Sequence, residues 1–141
     1  DDRTAESFVG SHAYLAPEIF GNGGLGKAAD IYGIGIVLYE LLCGTLPYDA
    51  KDLPKLYSQI KKGKLTFPES MSENAKNLIL KLMKRDPRQR IGVRDKSEIK
   101  RDPFFAGIDW DGLLRKEYPP PKLECISDDE ELADGFGDPM R

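Results

Sequence analysis

Few side chains in this 141-residue sequence suit acid–base, nucleophilic or metal chemistry. There is one histidine, His12, and there are two cysteines, Cys43 and Cys125, far apart. A general acid or base needs a partner within hydrogen-bond reach, and nothing in the spacing supplies one for His12. An exposed loop histidine is the simpler reading. The cysteine spacing matches neither a zinc site nor a disulfide framework and suits a reduced compartment. The run Gly21-Asn22-Gly23-Gly24-Leu25-Gly26 fits the phosphate-binding pattern G-x-G-x-x-G. That chemistry requires a preceding strand and backbone N–H groups that converge on the phosphate. Ala16-Pro17-Glu18-Ile19-Phe20 precedes it and does not read as a buried strand. No strand with a phosphate-pairing lysine follows. The glycines are expected to form a surface loop.

The composition is 40% hydrophobic and 32% charged, with net charge −3, which is enough apolar content for a core. Of the 24 acidic and 21 basic residues, 7 and 1 fall in Leu123–Arg141. A body of net +3 therefore carries a tail of net −6. Such a balance argues against a general nucleic-acid binder. The longest apolar stretch, Ile31 to Gly44, is too short to cross a bilayer. No signal peptide opens the sequence, and an intracellular, cytoplasmic setting is expected. The chain starts at Asp1 rather than Met, so a preceding N-terminal portion is expected.

The elements that must hold any site are helical. Asp30 followed by IYGIGIVLYELLCG reads as one helix, capped by Asp30 or a neighbour and stopped at Gly44; its Ile, Val and Tyr content makes a strand the alternative, and its length favours the helix. Its apolar residues go almost all the way round, so it must be enclosed by protein. Gly33 and Gly35 hint at close approach by a neighbouring backbone. Leu53 to Lys62 places Leu53, Leu56, Tyr57 and Ile60 on one face of a second helix. Ala75, Leu78, Ile79, Leu82 and Met83 form the stripe of a third, with Ser72 as N-cap or Ser70 with Glu73 as a capping box. Asp86-Pro87 is expected to end it. A short helix is expected from Ser97 to Arg101. Beyond Trp110 the sequence loosens, and Pro119-Pro120-Pro121 with the acid-rich run predicts an extended, partly disordered tail. Within that run, Ser127-Asp128-Asp129-Glu130-Glu131 reads as a solvated stretch, with a casein-kinase-like target or an electrostatic contact as alternatives.

Three motifs in order carry a resemblance. Phe8-Val9-Gly10-Ser11-His12-Ala13-Tyr14-Leu15-Ala16-Pro17-Glu18 resembles the end of a protein-kinase activation segment, closing in A-P-E. Asp30-Ile31-Tyr32-Gly33-Ile34-Gly35 resembles the start of the central helix of the kinase C-lobe. Arg85-Asp86-Pro87-Arg88-Gln89-Arg90-Ile91-Gly92 resembles the arginine-bearing turn near the end of that lobe. Ile60-Lys61-Lys62-Gly63 with Phe67-Pro68, then Glu98-Ile99-Lys100-Arg101-Asp102-Pro103-Phe104-Phe105, is similar to the AGC class of Ser/Thr kinases. So is Ile108-Asp109-Trp110 with Leu113-Leu114. The resemblance covers about residues 5 to 122. It implies a mainly α C-lobe fragment over residues 1–105 and an AGC-type C-terminal extension over 106–141. Trp110 and Phe104-Phe105 are expected to hold the start of that extension on the lobe.

The resemblance also implies roles. Ser7, three residues before Gly10, aligns with the activation-loop phosphosite, the alternative being an ordinary polar loop serine; Thr4 is a weaker candidate. Ser11, in a G-S-x-x-Y context that resembles Ser/Thr rather than Tyr kinases, aligns with the hydroxyl that shapes the pocket for the residue after the phosphoacceptor. Without the motif it is a turn residue. Tyr14 and Leu15 either build the same P+1 floor or simply fill the core. Glu18 and Arg90 resemble the ion pair that ties the activation segment to the lobe. Asp30 resembles the carboxylate that supports the catalytic loop, helix capping being the plainer alternative. His12 and Ala13 depart from the AGC pattern, which commonly has proline and an acid there.

The parent enzyme so implied moves the γ-phosphoryl of ATP, with Mg, to protein Ser/Thr hydroxyls. Its partners would be protein substrates and an upstream activating kinase. The Gly-rich loop, strand lysine, H-R-D and D-F-G motifs of that family do not occur in this sequence and are expected before Asp1. The fragment alone, with no catalytic, cofactor-binding or metal residues of its own, is expected to be inactive. A pseudokinase, or a helical interaction scaffold with a kinase-like lobe, is the alternative.

Overall fold

Helix-forming residues surround the apolar run, and in the computed structural model, which describes residues 12–21 and 26–121, they extend it. Helix α1 spans Lys27–Cys43, α2 Leu53–Lys62, α3 Glu73–Leu82, α4 Ser97–Lys100 and α5 Trp110–Leu114, with 3-10 turns at Pro17–Phe20, Pro87–Gln89 and Pro103–Phe105. No strand occurs among the described residues. The chain divides after Gly107 into two units.

Helix α1 starts earlier than its apolar pattern predicts. Gly26 takes the N-cap position and offers no side chain, so Asp30 lies in the first turn and is not the cap. The helix stops at Gly44, whose φ of 72° is the left-handed conformation expected of a C-terminal glycine. Helices α2 and α3 begin where short acceptors wait. Asp52 accepts the Lys55 N–H at 2.9 Å, and Ser72 accepts the Ala75 N–H at 3.3 Å. Helix α3 ends at Leu82, ahead of the predicted stop at Asp86-Pro87. The reason is competition: the carbonyls of Lys81, Lys84 and Arg85 are taken by the Ile91 N–H and the Arg90 side chain instead of continuing the helix.

The core of the first unit forms where α1 crosses α3. Tyr32, Ile36, Tyr39, Ile79 and Met83 are buried together with Leu56 and Ile60 of α2. Gly35 makes that crossing close. A Cβ there would lie 2.6 Å from Met83 Cγ and 3.0 Å from Leu82 Cβ, inside van der Waals contact. The neighbour is thus a pair of side chains rather than a backbone, and Gly33 has only an ordinary 3.8 Å contact with the Tyr14 carbonyl. A second cluster, Ile31, Leu78 and Leu82, is closed by Ile91, Val93, Ile99, Phe104 and Phe105. Gly92 is required there twice over, by a φ of 84° and by Ile99 Cδ1, 2.5 Å from where its Cβ would be.

Only one side of α1 is covered by these residues. Ile34, Val37 and Leu41, at i, i+3 and i+7, are 51%, 45% and 78% exposed, and Leu42 adjoins them. An apolar helix whose pattern calls for enclosure by protein thus keeps one face uncovered among the described residues.

In the second unit, a stretch expected to be loose folds into α5. Asp109 caps it by accepting the Gly112 N–H at 3.0 Å, and the Tyr118 hydroxyl donates to the same carboxylate at 3.1 Å. An Asx cap organises a turn too short for any periodicity to announce. Residues 122–141, including Cys125 and the Ser127 acidic run, lie outside the described residues.

Candidate functional site

The Ala16-Pro17-Glu18 motif forms the start of a 3-10 turn because Pro17 presets its first φ. Ala13 and Ala16 are buried at its base, and Phe20 stacks on Tyr57 of α2 with centroids 4.1 Å apart. This fixes Glu18 at the margin of the core, facing Arg90 from 72 residues later in the sequence.

Arg90 has five N–H donors, and each is used. Nε donates to the Lys84 carbonyl at 2.6 Å. Nη1 donates to Glu18 Oε1 at 2.5 Å and to the Ala28 carbonyl at 2.7 Å. Nη2 donates to Glu18 Oε2 at 2.7 Å and to the Arg85 carbonyl at 3.3 Å. The fork-to-fork carboxylate pairing is the strong, geometrically specific form of this contact. The guanidinium also lies 4.9 Å from the Tyr32 ring centroid, a cation–π contact. Its side chain is wholly buried, whereas that of Glu18 is 14% exposed. Burial pushes the Glu18 carboxyl upward, but the Arg90 hydrogen bonds, a backbone N–H and the Arg90 charge outweigh it and hold the group below its ordinary value. Burial pushes the Tyr32 phenol up. One side chain thus joins the Pro17–Phe20 turn, the start of α1 and the α3 exit.

Tyr14 lies partly exposed and donates its hydroxyl to Glu40 Oε2 on α1 at 2.7 Å. That hydrogen bond to a carboxylate raises the Tyr14 phenol above its ordinary value. Leu15 is half-buried, its N–H bonded to the His12 carbonyl at 3.1 Å. Asp30 is exposed, and no described residue hydrogen-bonds its carboxylate. The contact of Arg90 with α1 is the Ala28 carbonyl. Ser7 and Ser11 lie outside the described residues.

Two contributors were not anticipated from sequence. Glu40 had a signal: it is the sole charged residue between Ile31 and Gly44. Tyr32, one aromatic among many apolar neighbours, had none.

The ATP and Mg implied for the parent enzyme do not fit the described residues. Gly21 follows a 3-10 turn rather than a strand, and Gly26 is a helix cap with no side-chain bond. Among the described residues no group of His, Cys, Asp and Glu could hold a metal, and no helix is long and apolar enough to cross a membrane.

A family model of the protein kinase domain matches residues 1–105. The chain is 40% identical over 90% of its length to Serine/threonine-protein kinase YPK1 of Saccharomyces cerevisiae, covering 19% of that protein. It is 39% identical over 90% of its length to RAC serine/threonine-protein kinase of Drosophila melanogaster, covering 21%. With human Ribosomal protein S6 kinase alpha-6 the figures are 41%, 85% and 16%. The chain spans about a fifth of the length of the curated relatives it matches. A helical lobe anchored between an A-P-E turn and a distant arginine, and aligned with these relatives, belongs to the protein kinase domain family: the chain is part of a Ser/Thr kinase domain of the AGC group.

Proposed function

We propose that this chain is the substrate-facing and scaffolding portion of an enzyme that transfers the γ-phosphoryl of Mg-ATP to protein Ser and Thr hydroxyls. The observation that carries the reading is the Glu18–Arg90 pair, which fixes the end of the activation-segment motif to the lobe. In this reading Ser11, Tyr14 and Leu15 form the P+1 floor that receives the substrate peptide, with Tyr14 steadied by Glu40. Ser7 is the phosphosite, where nearly two added negative charges recruit a cation and order the loop. Asp30, exposed at the head of the uncovered α1 stripe, offers its carboxylate to backbone N–H groups of a catalytic loop supplied by other residues of the parent. The nucleotide and metal belong to those residues too, so the 141-residue chain alone is inactive. The parent works inside the cell, on protein substrates, after phosphorylation by an upstream kinase.

A chimera tests this reading. The chain replaces the matching stretch of the yeast relative's kinase domain, and phosphate transfer to a Ser-containing peptide is measured. Mg-ATP-dependent transfer is expected from the chimera and none from the isolated chain. A folded chimera with no transfer, alongside an active parent, overturns the assignment.

A further inference from the structure

A cleft of about 560 Å³ opens between the exit of α2 and the exit of α3, and the kinase reading leaves it unused. Its apolar surface comes from Leu65, Phe67 and Leu80, the last 43% exposed. Its cations are Lys64, Lys84 and Arg85. Among the described residues none of the three meets a carboxylate: the ion pairs all involve other side chains. Arg85 instead donates to the Gly63 carbonyl across the cleft, which neutralises nothing. Asp86 is the sole acid in the lining, and it is already committed. Oδ1 accepts from the Arg88 N–H and Nε, and Oδ2 from Arg88 Nη2 and Gln89 Nε2.

The backbone presenting two of these cations is held from behind. The Lys84 and Arg85 carbonyls are the ones bound by the buried Arg90 side chain. Three like charges around an exposed apolar floor repel one another and raise the local positive potential, a cost that an anionic partner relieves. Complementary potentials of this kind steer association and set specificity. An apolar floor within the charge ring adds a requirement that a bare anion does not meet. A space of this size takes one large side chain with its flanking backbone.

We propose that this cleft docks an acidic segment of a partner protein, which seats an apolar side chain on Leu65, Phe67 and Leu80 and places carboxylates against Lys64, Lys84 and Arg85. The inference does not rest on the catalytic reading above. Its probe is a fluorescein-labelled synthetic peptide of four acidic residues around one phenylalanine, titrated by anisotropy against the full chain. Saturable binding is expected, weakened by added salt and by replacing the acids with glutamine or the phenylalanine with alanine. Lys64→Glu with Lys84→Glu should raise Kd about tenfold or more, as should Leu80→Glu, with helical circular dichroism retained in each. Lys96→Glu, outside the cleft, should leave Kd within about twofold. The proposal is overturned if the probe does not bind, if the uncharged peptide binds as well, or if Lys96→Glu weakens binding as much as the cleft reversals. Tighter binding of a single-stranded RNA oligonucleotide than of the peptide at equal salt makes the cleft a general polyanion site and overturns it equally.

Discussion

Replacing Glu18 by alanine strands a guanidinium from which water is excluded. Two of the five hydrogen bonds of Arg90 and its only carboxylate partner among the described residues disappear, while the three carbonyl bonds and the Tyr32 contact persist. Removing one member of a buried pair costs about 3–5 kcal/mol, because the remaining charge stays desolvated. The 14% exposure of Glu18 admits some water to the vacated space and places the expected loss at about 3 kcal/mol. Arg90→Met should cost less, since Glu18 can hydrate once the cation is gone. The double variant should therefore be less destabilised than the two single losses combined, by roughly 2 kcal/mol. Urea unfolding followed at 222 nm reads all four proteins. With a slope of about 1.5–2 kcal/mol per molar, Glu18→Ala moves the midpoint down by roughly 1.5–2 M. A Glu18→Ala loss under about 1 kcal/mol, or strictly additive single losses, would refute the view that the pair anchors the turn.

The same pair sets a pH dependence. Glu18 is depressed below its ordinary value near 4.5, so its contribution is complete above about that pH and is lost as the pH falls through the folded-state value. The urea midpoints of wild type and Glu18→Gln should differ at pH 6, and the gap should narrow as the pH falls below about 4.5; an unchanged gap refutes the assignment. Gly35→Ala should lower stability by about 1–2 kcal/mol, because overpacking against Leu82 and Met83 outweighs the roughly 1 kcal/mol that alanine gains in helix propensity. A raised midpoint contradicts the close crossing. Val37→Gln with Leu41→Gln should cut binding of a hydrophobic dye by the isolated chain while shifting stability by no more than about 0.5 kcal/mol per site, as surface changes do. A collapse of the fold would show instead that this face is covered.

What could be read in advance follows the range of the interaction. Helices α2 and α3 were legible because their signals are local: apolar residues at three- and four-residue intervals, with Ser72 as the cap of α3, whereas the Asp52 cap of α2 emerged only with the structure. The start of α1 is not marked in the sequence, because Gly26 caps without a side chain and Lys27-Ala28-Ala29 carries no periodicity. Helix α5 is barely longer than a turn, and its Asp109 cap was masked by the polar composition around it. Motif resemblance identified Glu18 and Arg90 as a pair, whereas the Lys84, Arg85 and Ala28 carbonyls that complete the coordination leave no mark on side-chain sequence. The cleft cations were invisible for a related reason. Lys64 and Lys84 sit in unrelated polar runs until two helix exits bring them to one cleft.

The 72-residue span between Glu18 and Arg90 has a bearing on biosynthesis. At about 5–20 residues per second, a ribosome needs roughly 4–14 s to deliver the second member after the first. Throughout that interval the Ala16-Pro17-Glu18 stretch emerges untethered, with its acid hydrated and its turn unsupported. A chaperone or modifying enzyme that works on nascent chains meets this stretch in an open form that the finished fold no longer offers.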